Sequence, residues 1–502
     1  MTKPPPQLIE RPPVVAVLGH VDHGKSTLLD FIRKSNTVDR EAGGITQKIA
    51  AYEIERVKNG NAKKITFIDT PGHAAFQAIR RRGASVADIA ILVVAADDGV
   101  KAQTLEALQE IRDAKTPFIV AINKIDKPNA DLQRTIGSLL EQEVFLEKYG
   151  GDVPWVAISA KVGTGVEELL DLILLVAELQ ELKGDATIPA EGYVIEAHRD
   201  QKRGMAATLI IKNGELGNGM AVLAGFGLSP VRIMENHAGK MIKEATFSSP
   251  VQLIGFDELP EVGSNFKTFR KKRDAEKAQE EARTLRPRPG STITVEENIM
   301  RFMLPVIIRA DSQGSLDALI LELPKLGDEH SGIKIISAGL GSISEGDIKT
   351  AIASKEPAVV VGFNAAIDSV AQGLADRDGI RLEFFDIIYK LTERLAELLK
   401  ETRPKRTIEE IVGRAKVLKQ FSTRKDEHVI GGAVSTGFLA KNGSVRVLRR
   451  NIALGNGKIK NIQTNKQNAD RVHEGSEFGA QILSDFEIAP GDVIECIVTT
   501  IE

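Results

Sequence analysis

The chain has a single cysteine, Cys496, in 502 residues. That excludes a disulfide framework and a cysteine-built zinc site. A reducing, cytoplasmic setting fits this usage. Long apolar runs are also missing. Ile89–Ala96 and Leu172–Ala177 fall far short of the roughly 20 residues a spanning helix needs, so no membrane partner is expected. Charge of one sign is not in excess: 66 Lys+Arg against 69 Asp+Glu leave a formal net charge of −3, so no global field selects a partner. Met1–Pro13 carries five prolines and no apolar segment, so it reads as an extended lead-in rather than a signal peptide. With 42% hydrophobic and 27% charged residues, the rest reads as a globular chain of about three to five domains.

Short apolar runs alternate with helical patterns at the start. Val14–Leu18, Ile65–Ile68, Ile89–Val94 and Phe118–Ile122 are buried-strand candidates, with helices at Lys25–Arg33, Thr104–Ala114 and Gly165–Leu179. This alternation predicts an α/β unit around a parallel sheet. From Gly192 to Asp257, β-type runs between glycine-rich turns suggest a small barrel. Residues 267–288 hold nine Lys/Arg and four Asp/Glu in an expected helix, either a solvated face or a contact for RNA phosphates. Pro305–Phe363 returns to α/β. Asp386 can cap a helix to Arg403 of roughly 25 Å, striped by Ile387, Ile388, Leu391, Leu395, Leu398 and Leu399. The last hundred residues read as a second barrel. Arg403–Arg471 holds sixteen Lys/Arg and five Asp/Glu, whereas Val472–Glu502 holds seven acids and no Lys/Arg; RNA contact and internal pairing both explain this.

The chemistry sits in the first unit. Gly19-His20-Val21-Asp22-His23-Gly24-Lys25-Ser26 has the phosphate-loop spacing, between an expected strand and helix. Its glycines let backbone N–H groups curl around an anion, and the helix N-terminus adds positive potential. Lys25 would neutralise the β- and γ-phosphates, and Ser26 would hold Mg²⁺. Asp69-Thr70-Pro71-Gly72 places a carboxylate for Mg²⁺ through water and an N–H, of Gly72, toward the γ-phosphate. Asn123-Lys124-Ile125-Asp126 offers a carboxylate to guanine N1–H and N2–H₂, donors that adenine lacks. Ser159-Ala160-Lys161 can complete the base pocket. The expected cradle for GTP or GDP is thus Val21, Asp22, His23, Gly24, Lys25, Ser26, Thr27, Asp69, Gly72, His73, Asn123, Lys124, Asp126, Ser159, Ala160 and Lys161. The imidazoles of His20 and His23 read as loop structure.

His20-Val21-Asp22-His23 within this loop, and His73 directly after Asp-Thr-Pro-Gly, resemble the translational GTPases. Glu41-Ala42-Gly43-Gly44-Ile45-Thr46-Gln47 resembles the first switch of bacterial translation initiation factor two, and Ala310–Ser315 with Gly339–Ile343 resemble that family's third domain. The resemblance runs from Pro12 to Glu502, without the family's long N-terminal extension. It implies an α/β multidomain chain: lead-in 1–12, GTPase domain 13–183, β-barrel domain 184–266, basic helical linker 267–290, α/β domain 291–385, connecting helix 386–403 and C-terminal β-barrel 404–502. It implies that Thr46 contacts Mg²⁺ and the γ-phosphate, that His73 orients the attacking water with Lys25 and Thr46 in the catalytic set, and that Val21 and Ile45 gate the imidazole. It implies a monomer that binds the small ribosomal subunit, large-subunit rRNA and initiator formyl-methionyl-tRNA, promotes subunit joining and hydrolyses GTP on the ribosome.

Three stretches depart from the family. Lys48 stands where a histidine is usual. Gln463-Thr464-Asn465-Lys466 replaces a Lys-Arg-aromatic-Lys stretch, and Gly475-Ser476-Glu477-Phe478-Gly479 replaces Gly-Tyr-Glu-Cys-Gly. Arg446, Lys466 and Phe478 remain candidates for the tRNA end, with Arg449 and Arg450 as further phosphate contacts. Each is equally explained as surface charge or barrel core. Two alternatives stay open: a ribosome-associated GTPase without initiator selectivity, and a nucleotide-gated scaffold.

Overall fold

A computed structural model describes residues 8–34, 46, 49–58, 60–200, 202–284, 302–328, 330–354, 356, 358–403 and 407–501. Most of the first-switch motif, Ile45 and Lys48 included, lies outside the described residues, as do residues 285–288 of the expected basic helix. The chain forms two compact units, Met1–Thr402 and Arg403–Glu502.

The first unit begins with strands β1 (Leu8–Glu10) and β2 (Val14–Gly19), helix α1 (Lys25–Arg33), strands β3 (Ala50–Lys58) and β4 (Asn61–Asp69), and helix α2 (Gln77–Val86). It continues with β5 (Ile89–Ala95), α3 (Ala102–Ala114), β6 (Phe118–Asn123), α4 (Leu132–Leu140), β7 (Trp155–Ala157), α5 (Val166–Leu179) and β8 (Lys183–Asp185). The sheet order is β3-β4-β2-β5-β6-β7, parallel except for the β3–β4 hairpin. Every residue of β2 and β5 is buried, as expected of continuous apolar strands covered on both faces. The loops that follow these strands emerge at their carboxyl ends, where ligands bind in open α/β sheets. The lead-in is tied down: β1 pairs with β8, and Arg11 clamps Asp88 at 2.6 Å. The edge strand β3 was not read from the sequence, because the alternation Tyr52-Glu53-Ile54-Glu55 breaks at Arg56 and leaves only a short period-2 run.

A seven-stranded antiparallel sheet follows, from Glu191 to Phe269. It curls until Leu228 and Asp257 exchange hydrogen bonds: Leu228 N–H donates to Asp257 Oδ1 at 2.7 Å and Asp257 N–H to Leu228 O at 2.9 Å. Lys212 reaches Asp88 at 2.6 Å and the Thr66 hydroxyl donates to Ser248 O at 2.6 Å, fastening this layer to the first domain. Helix Lys272–Thr284 lies on the sheet through Ala275 and Gln279 and exposes its charges.

The next domain has four parallel strands, with Phe302–Ala310 and Val359–Phe363 central, and helices Gln313–Glu322, Glu345–Ala353 and Ser369–Asp378. The last of these, and the strand Leu382–Phe385, were not read from the sequence. Helix Ile388–Thr402 buries Ile388, Leu391, Leu395, Leu398 and Leu399 in one core with Val306 and Phe363 of this sheet and with Phe76 and Ile79 of the first domain. Among the described residues, no helix is long and apolar enough to cross a membrane.

The second unit is a barrel of six strands. Thr407–Arg424 pairs with Val493–Ile501 on one side and with Glu427–Ala440 on the other, which closes the ring.

Candidate functional site

At the carboxyl end of β2, Gly24 takes a φ of +85° and caps α1. A Cβ there would lie 2.3 Å from Asn123 Nδ2, so the loop is pressed against the loop after β6. Asn123 is buried and uses both ends of its amide. Its Nδ2 donates to His23 O at 2.8 Å and its Oδ1 accepts from Ala160 N–H at 2.9 Å. Asn123 thus braces the phosphate loop against the loop after β7.

The cavity in front of α1, about 230 Å³, is lined by Val21, Asp22, Gly24, Lys25, Ser26, Thr27, Thr46, Gly72, His73 and Lys124. Lys25 Nζ folds back onto Gly19 O at 2.9 Å and His20 O at 2.7 Å. Burial lowers its pKa to about 8, so the lysine is held short of full hydration. Ser26 Oγ and Thr46 Oγ1 lie 2.8 Å apart. Asp69 ends β4 nearly buried, and the Thr70 hydroxyl donates to Val17 O at 2.7 Å, which ties the Asp-Thr-Pro-Gly segment to β2. A Cβ on Gly72 would lie 2.4 Å from Lys25 Nζ; only glycine allows this approach.

His73 caps the single turn Ala74–Phe76, its Nδ1 accepting from Ala75 N–H at 3.1 Å. An acceptor carries no proton, so the imidazole is neutral with its hydrogen on Nε2. Burial lowers its pKa, which agrees. Tyr389 meets the ring edge-on with centroids 4.3 Å apart.

On the base side, Ser159 Oγ–H donates to Asp126 Oδ1 at 2.6 Å, and this bond leads the causes that hold the exposed carboxyl below its usual range. Lys124 adopts a left-handed φ of 64°, while Lys127 pairs with Asp97 at 2.7 Å. Lys161 is exposed. His23 turns into the protein: its Nδ1 accepts from Ala95 N–H at 3.3 Å, and burial lowers its pKa to about 4. It is a neutral core histidine, and its ring stands 4.9 Å from that of His20.

Residues the sequence did not point to complete the site. Gln103 Oε1 accepts from Val21 N–H at 3.0 Å, and Arg80 donates to the carbonyls of Gly72 and His73. Only the α3 packing reveals them; glutamine and arginine on a helix ordinarily read as solvated.

The tRNA-end candidates do not converge. Phe478 is buried in the barrel core, and a Cβ on Gly432 would sit 2.9 Å from its ring. Lys466 lies in an exposed turn at φ 64°. Arg446 pairs across from Asn456, whereas the Phe478 end of the barrel pairs Gly479 with Gln463. Those partners are seven residues apart on one strand, roughly 23 Å at the usual rise. Ile411, Val412, Gly413, Arg414, Thr436 and Gly437 line a separate cavity of about 360 Å³.

A parallel sheet with a phosphate loop, an Asp-Thr-Pro-Gly segment, a braced Asn-Lys-Ile-Asp loop and a Ser-Ala-Lys loop around one cavity defines a P-loop GTPase. Residues 10–178 match the family described as Elongation factor Tu GTP binding domain, residues 189–269 match Elongation factor G domain 2, and residues 285–396 match Translation-initiation factor 2. Translation initiation factor IF-2 of Anoxybacillus flavithermus is 41% identical over 504 residues, covering 98% of this chain and 69% of that protein. The Rubrobacter xylanophilus factor is 40% identical over 500 residues, covering 98% and 72%. The GDP-bound aIF5B structure from Aeropyrum pernix shares 26% identity over 97% of this chain and 92% of that one, with a TM-score of 0.47. The chain belongs to the translation initiation factor IF-2 family, and it is a translation initiation GTPase.

Proposed function

We propose that the cavity in front of α1 binds GTP with Mg²⁺, that His73 orients the attacking water, and that the ribosome triggers this step. The placement of His73 on the wall that also carries Lys25, Ser26, Thr46 and Gly72 supports this reading. Lys25 Nζ and the backbone N–H groups of Gly24 and Asp22 would take the phosphates. Lys25 bonds to carbonyls of its own loop, and a bound anion beside it would favour its charged form.

The donor set suits a hard cation: two adjacent hydroxyls, Ser26 and Thr46, with the carboxylate of Asp69 close enough to act on the neighbouring Lys25. Mg²⁺ there would neutralise charge on the phosphate oxygens. The neutral His73 would offer Nε2–H to the water and so orient it, the positioning that phosphoryl transfer most requires. Asp126, kept ionised by Ser159, would accept from the guanine edge, with Lys124 beneath the base and Ala160 and Lys161 at its rim.

In this reading the chain works in the cytoplasm as a monomer, on the small ribosomal subunit and against large-subunit rRNA. The divisions at residues 13–183, 184–266, 291–385, 386–403 and 404–502 are its working parts. GTP turnover with and without assembled ribosomes, with ATP as control, tests it. Ribosome-stimulated turnover specific to GTP and lost in His73→Ala is the expected outcome. Unchanged turnover in that variant would remove the histidine from the mechanism.

Initiator tRNA placement is the expected role of the C-terminal barrel. The burial of Phe478 and the separation of Arg446 from Lys466 favour a second reading, a ribosome-associated GTPase without initiator selectivity. Equal, weak binding of formylated and unformylated methionyl-tRNA would select the second; preference for the formylated form would select the first.

A further inference from the structure

We propose that Arg80 is a positioning residue for GTP hydrolysis, fixing the backbone on both sides of His73. The inference rests on His73 acting as described above.

Arg80 lies on α2 and is fully buried, the largest side chain in the described protein to be so. Its Nη1 donates to His73 O and, at 3.4 Å, to Gly72 O. Its Nη2 donates to Glu106 Oε2 at 2.8 Å and its Nε to Glu110 Oε2 at 3.2 Å, both on α3. The guanidinium is a rigid planar fork, so fixing two of its nitrogens on α3 fixes the direction of the third.

The two carbonyls belong to the peptide planes on either side of the His73 Cα. Peptide groups are planar, so holding both planes sets φ and ψ of His73 and hence the direction in which its side chain leaves the backbone. Tyr389 then touches only the ring. Arg80 therefore acts on where the imidazole starts, before any rotamer is chosen.

A buried arginine often does no more than join two helices, and here it does join α2 to α3. Two observations exceed that role. The group spends one nitrogen on loop carbonyls rather than on a helix. Its partner Glu110 keeps Oε1 without a hydrogen bond, an arrangement that apolar packing would replace to better effect if stability were the sole gain. Burial also raises the Glu110 carboxyl to about 7.

The test is single-turnover GTP hydrolysis on ribosomes for R80K and E106Q, in the parent chain and in the H73A background, with GTP and GDP dissociation constants measured alongside. Lysine keeps the charge but lacks the fork. Glu106 is partly exposed, so E106Q serves where R80K does not fold. Misplacement of a reacting group should slow hydrolysis about tenfold in R80K and about threefold in E106Q, with nucleotide affinities within about twofold of the parent. Neither substitution should slow H73A further, since a residue that acts through His73 has nothing left to position. The same loss in both backgrounds, an unchanged rate in R80K, or a loss of nucleotide affinity in step with the rate would overturn the proposal. No loss in H73A alone would instead defeat the assignment of His73, and the proposal with it.

Discussion

Asparagine and aspartate three residues apart do different work in the loop after β6. Asn123 is buried and spends its whole amide on His23 and Ala160, so it holds loops together. Asp126 stays exposed and ionised, available to a ligand. Asp126→Asn replaces an acceptor by an amide whose NH₂ opposes the guanine donors. GTP affinity should fall by about 2 kcal/mol or more, the cost of an unmatched polar contact, and xanthosine triphosphate, with a carbonyl at C2, should bind the variant better than GTP does. Competition with a fluorescent GDP measures both; undiminished GTP affinity would mean the base lies elsewhere. The histidines make a similar contrast. His20, His23 and His73 share a motif-rich region, yet His23 is a core group, whereas His73 faces the cavity. Motif position already set His73 apart from the two loop histidines; the burial of His23 is what only the structure adds.

Among the elements, helix Ile388–Thr402 shows how much periodicity can reveal. Its apolar stripe was legible from 3.6-residue spacing, and those residues are the ones buried, apart from the half-buried Ile387. What they pack against was not legible, because a stripe specifies a buried face and not its partner. Leu395 has no exposure and sits in the shared core. Leu395→Ala should cost about 2–5 kcal/mol, whereas Ala at the exposed Glu393 should stay within about 0.5 kcal/mol. Denaturant unfolding of the two variants makes the comparison; equal small losses would show that the helix is not packed as described. The strand β3 was missed for the opposite reason. Its pairing with β4 supplies the order that its mixed composition did not announce.

For the molecule as a whole, the first unit is held by one apolar core shared among its layers, with buried polar groups at the seams. Glu196 of the barrel sheet is one of them. It is nearly buried beside the start of helix Gln313–Glu322, accepting from Ala197 N–H at 3.1 Å and from the Gly314 backbone. Burial outweighs those bonds and raises its carboxyl to about 7. A carboxyl whose folded pKa exceeds its unfolded value near 4.5 stabilises most below that value and loses its contribution as pH rises through 7. Glu196→Gln keeps the acceptor and removes the titration. The variant and the parent should melt alike near pH 4, below the unfolded value, and the variant should gain on the parent up to pH 8, by at most about 3 kcal/mol. A pH-independent difference in melting temperature would contradict this account.

The amino-acid order alone was enough to mark a GTPase, since its phosphate-loop and guanine-type motifs are short, local and tied to strand ends that hydrophobic runs reveal. It also determined the succession of α/β and β-rich regions. Only the tertiary structure decided that Arg80 reaches the His73 backbone, that Tyr389 meets its ring, and that Phe478 is buried in the barrel core. These relations join residues far apart in sequence. They depend on which buried faces meet and in what register, and such long-range packing leaves no signature in local composition or spacing.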